Sequence, residues 1–268
     1  MLDHGRFVEV GGERIHLIER GNGPPLLLVH GFPSNAAAWS AIVPRLEGER
    51  GMVALDMVGF GQSTRWPRRP LTGDAYADRL AALLDALSLD RVDVAGLSWG
   101  GSVAQRLAAR HPERVRRLVL VAAVSAAYVL PLRTANLLGL AVAVRFPFVA
   151  RAAVRRFLVR ASADPNLPLE TLVRAYVEPL QQPGTLAAMR RFVRDTAATE
   201  PIDLGAITAP TLVVVPQADR VVPPAMGEEI ARRIPGARYE PLSGIGHAVQ
   251  FEAPDRLAVL MRDFLAAT

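Results

Sequence analysis

Gly96-Leu97-Ser98-Trp99-Gly100 stands between a short apolar run at residues 92–95 and a segment of helical pattern that begins near Ser98. A serine placed in this way belongs on a sharp strand-to-helix turn, with its hydroxyl projecting beyond the end of a parallel sheet. The flanking glycines follow from geometry: the incoming strand and the outgoing helix approach closely, and a Cβ at either position would collide. Five residues with two glycines also occur by chance, so the weight of the motif rests on its surroundings.

The chain has 268 residues and is 50% hydrophobic, enough for one large α/β domain or a domain carrying an insertion, and too apolar for disorder. It contains no cysteine, which excludes disulfides, thiolate metal sites and a cysteine nucleophile. The net charge is +5, and with no lysine in the chain every one of the 31 basic residues is an arginine. These arginines are dispersed and not interleaved with aromatic residues, which argues against a nucleic-acid partner. The opening residues carry Asp3 and no apolar run, so they do not read as a secretory signal and a cytoplasmic location is expected.

Upstream of the turn, residues 7–10 and 14–19 alternate around Gly11-Gly12 in the manner of an antiparallel hairpin. Residues 26–29 and 52–55 are short apolar runs of the buried-strand type, ending in His30-Gly31-Phe32-Pro33 and in Asp56-Met57-Val58-Gly59-Phe60-Gly61-Gln62-Ser63. Between them Trp39, Ile42, Val43 and Leu46 recur at helical spacing. Asp74 is the expected cap of a helix that presents Tyr76, Leu80, Leu83, Leu84 and Leu87 on one face. Downstream, a helix from Ser98 to about Arg110 is stopped by Pro112, and 115–122 reads as a strand. Buried strands alternating with amphipathic helices predict βαβ units and a mostly parallel sheet covered on both faces.

From 124 to 209 the rhythm breaks. No buried strand is evident, and helix-like segments are punctuated by Pro131, Pro147, Pro165, Pro168, Pro179, Pro183 and Pro201 over more residues than a crossover needs. An inserted helical lid at 124–209 is expected, on a core formed by 1–123 and 210–268. The core pattern resumes with a strand at 211–215, a helix at 225–234, a strand at 238–242 and a final helix carrying Leu257, Leu260, Met261, Phe264 and Leu265. Within the lid the apolar run 137–144 is too short to span a bilayer. No acidic residue lies between Arg114 and Ala163, a stretch that includes Arg133, Arg145, Arg151, Arg155, Arg156 and Arg160. The expected form is a helix with its apolar side on the site and its arginines in water; peripheral contact with an anionic lipid surface is the alternative.

A serine hydroxyl needs a base to take its proton. Of the five histidines, His4 lies near the terminus, His16 in the first hairpin, His30 before a glycine and His111 beside Pro112. His247 sits in Gly244-Ile245-Gly246-His247, between the last strand and the last helix, where loops at the C-terminal ends of strands meet substrate. The base needs a carboxylate to hold its tautomer, and Asp219, just after the strand 211–215, is in the position to serve. The other position for an acid, after the strand ending near 122, holds Ala123, Val124 and Ser125, none of which qualifies.

The chain order Ser98, Asp219, His247 resembles that of the α/β-hydrolases, and so do the His30 to Pro33 loop, the Asp56 to Ser63 loop, Gly96 to Gly101, Pro223 and the pairing of Gly246-His247 with Glu252 and Pro254. The resemblance covers nearly the whole chain outside the lid. It implies an α/β fold with a mostly parallel eight-stranded sheet, helices on both faces and an inserted helical lid, with no metal or cofactor. It also implies an oxyanion hole made by the backbone N–H groups of Phe32 and Trp99, with His30 fixing the loop. The His-Gly-Phe-Pro loop and Trp99 look like epoxide hydrolases and haloalkane dehalogenases, but those carry aspartate where Ser98 stands, and serine cannot form their alkyl ester. Carbon-carbon bond hydrolases of this fold typically show tryptophan after the histidine, where this chain has Ala248, and prolyl iminopeptidases would need an acidic lid. The resulting expectation is a serine carboxylic-ester hydrolase that forms an acyl-enzyme with a small to medium acyl or aromatic ester. A carbon-carbon bond hydrolase or lactonase on the same triad is the alternative, and a ligand-sensing receptor of this fold is an alternative of another class.

Overall fold

The computed structural model describes residues 5–127 and 145–266. Its strands are β1 (Arg6–Val10), β2 (Glu13–Arg20), β3 (Pro25–Val29), β4 (Gly51–Leu55), β5 (Val92–Leu97), β6 (Val115–Val121), β7 (Thr211–Pro216) and β8 (Arg238–Leu242). They form one eight-stranded sheet in the order β1-β2-β4-β3-β5-β6-β7-β8. The β1–β2 and β2–β4 pairs are antiparallel, and every pair from β4 through to β8 is parallel. The described α-helices, in chain order, are α1 (Val43–Leu46), α2 (Gly73–Ala86), α3 (Trp99–Arg110), α4 (Pro147–Ala161), α5 (Leu169–Leu180), α6 (Thr185–Ala197), α7 (Pro224–Arg233), α8 (Val249–Glu252) and α9 (Pro254–Ala266).

Period-two alternation sends successive strand residues to opposite faces, and both faces are dry. Leu27, Val29, Val94, Leu118 and Leu120 pack with Leu80, Leu84, Val103 and Leu107 of α2 and α3. Leu26, Leu28, Ala95, Val119 and Val121 pack with Trp39, Leu257 and Met261 on the other side. Two local expectations change. Thr72, in extended conformation, caps α2 by accepting from Ala75 N–H at 3.2 Å, while Asp74 lies inside the first turn and meets Arg106 Nη1 at 2.6 Å. The helical spacing from Trp39 to Leu46 resolves into a 3₁₀ turn (Ala36–Trp39) and the single turn α1, because Pro44 has no N–H to carry a helix through from Ser40.

Among the described residues between β6 and β7 there is no strand, only α4, α5, α6 and a short 3₁₀ turn, Leu204–Ala206. The apolar run 137–144, together with Pro131 and Arg133, lies outside the described residues. Arg106, buried in α3, holds both ends of this insertion: its Nη2 donates to Ala126 O at 3.2 Å and to Glu200 O at 2.6 Å. Its neighbour Gln105 donates to Val124 O and accepts from Ala126 N–H. Phe192 of α6 is clamped between Phe32, stacked at 4.7 Å, and Trp99, edge-on at 4.7 Å. The inward division expected for α4 holds only in part. Leu158 and Ala161 are buried, but Phe148 is 71% and Val159 56% exposed. Arg151 and Arg155 are paired with Glu170 of α5. No helix of the described residues is long and apolar enough to cross a membrane.

Arg79 of α2 and Glu13 of β2 are both nearly fully buried and face each other through two bonds, at 2.6 and 2.9 Å. Arg79 also reaches Pro70 O and Arg69 O, and Glu13 accepts from Arg68 N–H, so the pair joins the hairpin to the loop ahead of α2. Breaking a buried pair strands one charge, whereas removing both does not. Urea denaturation of Arg79→Met is expected to show a loss of about 3 kcal/mol or more, with much of it restored in the Arg79→Met, Glu13→Leu double variant.

Candidate active site

Ser98 joins β5 to α3 with φ 52° and ψ −121°, a backbone conformation that few non-glycine residues adopt. Three backbone bonds hold it there: Ser98 N–H to Val121 O at 3.0 Å, and Gly101 N–H and Val124 N–H to Ser98 O at 2.9 and 3.0 Å. The strain turns the hydroxyl out over the C-terminal edge of the sheet. There His247 Nε2 lies 3.1 Å from Ser98 Oγ, and Asp219 Oδ2 lies 2.7 Å from His247 Nδ1. Asp219 Oδ1 accepts from Val221 and Val222 N–H at 2.7 and 2.9 Å, which fixes the plane of the carboxylate. All three side chains are buried. The three residues singled out in the sequence are thus brought together, and the arrangement is one in which imidazole can accept the serine proton while a carboxylate orients it.

The His247 loop is held from two directions. Glu252 of α8 accepts from Gly246 N–H at 2.9 Å and Ala248 N–H at 3.1 Å, and also from Ala163 N–H of the insertion at 2.8 Å. His247 N–H donates to Ala161 O at the end of α4, at 2.7 Å. A Cβ on Gly246 would meet that same carbonyl at 2.5 Å, so only glycine permits this approach.

Gly31 passes directly beside the serine: a Cβ there would lie 3.0 Å from Ser98 Cβ and 3.6 Å from Oγ. Phe32 N–H follows on that loop, and Trp99 N–H opens α3, where no intrahelical acceptor exists. Phe32 is among the pocket residues, its ring stacked on Phe192, whereas the Trp99 indole is core, packed edge-on against Tyr76 and Phe192. His30 does not reach the serine. Its Nδ1 is 2.8 Å from Gly31 O and its Nε2 accepts from Met57 N–H at 3.0 Å, so it binds the Gly31 loop to the loop after β4. Burial lowers the His30 pKa and keeps the ring neutral. Asp56 completes that frame, accepting from Ala36 and Gln62 N–H and pairing with His16. Burial pushes its carboxyl up, but those hydrogen bonds outweigh burial and hold it below the ordinary range.

The pocket over Ser98 is roofed by Phe157, Leu158, Ala161 and Tyr176 of the insertion and walled by Ser34, Ala248 and Gln250. No arginine or carboxylate is among its described lining residues. Gln250, Tyr176 and Ser34 carry no motif that marks them; only the place of Gln250, three residues after His247, connects it to the site. No group of acidic or histidine side chains fit to hold a metal occurs among the described residues.

The fold and the serine-histidine-aspartate geometry are those of an α/β-hydrolase. Residues 24–254 match the family model described as alpha/beta hydrolase fold, and the chain belongs to that family and is a hydrolase. It is 32% identical over 98% of its length, and 94% of the relative's, to a 2-hydroxymuconate semialdehyde hydrolase of Pseudomonas sp. (strain CF600). Among solved structures it is similar to a meta-cleavage product hydrolase from Pseudomonas fluorescens, at 26% identity, 99% and 98% coverage and a TM-score of 0.82. It also resembles an enol-lactonase from Burkholderia xenovorans, at 25% identity, 98% and 100% coverage and a TM-score of 0.82. These names stand nearer to the carbon-carbon hydrolase and lactonase alternative than to the carboxylic esterase expected from the sequence. The absence of tryptophan after His247, which weighed against that alternative, is outweighed by likeness along the whole chain.

Below pH 6.5 the unfolded chain takes a proton at His30 that the folded chain refuses. This contribution to stability is whole above that pH and is lost as pH falls toward the depressed folded value. Asp56 acts in the same sense in a lower window, below 3.8. The urea midpoint is expected to drop between about pH 7 and about pH 5, and to drop less in His30→Gln; a midpoint independent of pH in wild type refutes this. Glu252→Ala frees three N–H groups and the His247 loop, and steady-state kinetics are expected to show kcat reduced roughly 10- to 100-fold with little change in KM.

Proposed function

We propose that this chain hydrolyses a carbon-carbon bond adjacent to a carbonyl in a small conjugated oxo compound. What supports it is a Ser98-His247-Asp219 array with contacts of 3.1 and 2.7 Å in a chain 32% identical to a semialdehyde hydrolase along almost its whole length. His247 takes the proton of Ser98 as Oγ adds to the carbonyl carbon. The resulting oxyanion is received by the N–H groups of Phe32 and Trp99, each worth about 3 kcal/mol of barrier where such donors have been removed in other hydrolases. Collapse of the tetrahedral intermediate breaks the carbon-carbon bond. For the departing pair to enter the conjugated system the dienol first ketonises, losing its enol O–H proton and gaining a proton at the carbon next to the reacting carbonyl. That carbon then leaves as a delocalised dienolate, which His247 protonates, and an acyl ester remains on Ser98. Water, deprotonated by His247, then releases the acid and restores the serine. Each step moves only protons and an acyl group, so no cofactor enters. The core would be residues 1–123 and 210–268, with 124–209 a lid that builds the roof of the pocket and so selects the substrate.

Carboxylic-ester hydrolysis is the second reading, favoured by Ala248 and by the lack of a cation among the described lining residues, which suits a neutral ester. The two differ in leaving group, not in machinery. The test compares 2-hydroxymuconate semialdehyde with p-nitrophenyl butyrate by loss of the dienol chromophore and release of nitrophenolate. The expected outcome is kcat/KM for the dienol at least roughly tenfold above that for the ester, and the reverse ratio selects the esterase. Ser98→Ala is expected to lower both by about 10³-fold or more. Full activity in that variant would falsify a nucleophilic role for Ser98.

A further inference from the structure

Outside the triad the pocket has one polar group whose capacity the protein leaves unused. Gln250 is only 2% exposed and lines the pocket, and its Oε1 has no hydrogen-bond partner among the described residues. Buried acceptors are almost always satisfied in native proteins, so each exception calls for an explanation. Packing does not supply one. A methionine of similar length would fill the same space, and no protein donor would be lost at Oε1. The remaining polar side chains of the lining, apart from Ser98 and His247, are Ser34, whose Oγ donates to Asn35 O at 3.5 Å, and Tyr176, whose hydroxyl interacts with Ser34. That contact joins the loop after His30 to α5, as does the bond from Asn35 Nδ2 to Ala175 O at 2.9 Å. Those two hydroxyls have protein partners, while the Gln250 carbonyl, on the same short segment as His247, has none among the described residues.

We infer that Gln250 is a specificity residue whose side-chain carbonyl accepts a hydrogen bond from a hydroxyl or enol O–H of the substrate. This deepens the function proposed above and rests on it for the placement of the reacting carbonyl at Ser98. An acceptor without a hydrogen of its own rewards a donor and rejects an ether or a bare methylene at the same place. The chain therefore selects hydroxylated over O-alkylated substrates. A buried polar group built to pair with a ligand hydroxyl discriminates strongly, because the analogue leaves it unpaired.

The test uses two matched pairs with wild type, Gln250→Met and Gln250→Leu. The first pair is 2-hydroxymuconate semialdehyde and its enol O-methyl ether, which cannot tautomerise and is therefore compared by binding to each form carrying Ser98→Ala as well; the second is phenyl 3-hydroxybutyrate and phenyl 3-methoxybutyrate, compared by turnover. With Gln250 in place the hydroxyl member of at least one pair is expected to be favoured by roughly tenfold or more, in Kd for the first and in kcat/KM for the second. The variants should treat the two members within about twofold, with a thermal midpoint at or above that of wild type because an unsatisfied acceptor has been removed. Gln250-dependent discrimination in the ester pair without turnover of the dienol leaves this inference standing and removes the carbon-carbon reading. Discrimination that survives in both variants, or no Gln250-dependent discrimination in either pair, overturns it.

Discussion

At Gly100 the backbone of α3 comes so close to the strand beside it that a Cβ would lie 2.2 Å from His30 O and 2.6 Å from Val29 O. At Gly96 a Cβ would meet Gly100 O at 2.6 Å and Gly101 Cα at 2.7 Å. These approaches allow β5 to end, reverse and become a helix within one residue, and that residue is Ser98. Its unusual backbone conformation carries a local strain on the order of 1–3 kcal/mol, which a loop could not sustain. Here it is borne by a sheet buried on both faces, with the Ser98 amide and carbonyl bonded to β6 and to the start of the insertion. The rigidity of the central strands is therefore the condition for a Ser98 hydroxyl aimed at His247 and the pocket.

The base is placed by a different means. His247 rises from the loop after β8, at the edge of the sheet, where fewer neighbours constrain the chain. Its position is imposed by Glu252 from one side and by the carbonyl of Ala161 from the other. The second contact belongs to the insertion, and Arg106 in α3 in turn ties the insertion's two ends to the helix that Ser98 begins. Nucleophile, base and roof are thus parts of one bonded circuit, and displacement of α4 would disturb the histidine as directly as it would the pocket.

This division explains what was legible in the sequence. Strands 26–29, 52–55 and 211–215 announce themselves because a doubly buried parallel strand must be a continuous apolar run, and the candidate catalytic side chains lie just past their ends or past the strand that follows. Ser98, Asp219 and His247 could each be singled out by a place just past the end of a strand, and their order along the chain then resembled that of the α/β-hydrolases. Thr72 and Asp74 could not be ranked as caps without the backbone, since both are capping residues and only extended φ and ψ decide between them. Arg106 and Gln105 carry no signal in the sequence that marks them, and are buried anchors only because the chain on either side of the segment between β6 and β7 returns over them. The exposed Phe148 and Val159 of α4 went the other way, because a pattern of apolar residues does not say how much surface the neighbouring segments have available to cover it.

The reaction itself was the least legible part, for a reason intrinsic to the machinery. In the proposed mechanism, addition of Ser98 to a carbonyl, support of the oxyanion and proton return through His247 are common to ester and carbon-carbon cleavage, so the triad is silent on which bond breaks. In that proposal selection falls to the pocket walls, where Ser34 and Tyr176 show no periodicity or spacing that could mark them, and Ala248 and Gln250 are marked only by their place after His247. A pocket without a described cation can still read polarity, since a neutral acceptor held out of water distinguishes a donor from an ether through its own unmet hydrogen bond. Such recognition costs the free protein an unsatisfied group and is worth keeping only if the ligand repays it. The orphaned oxygen of Gln250 is therefore better evidence about the substrate than the triad beside it.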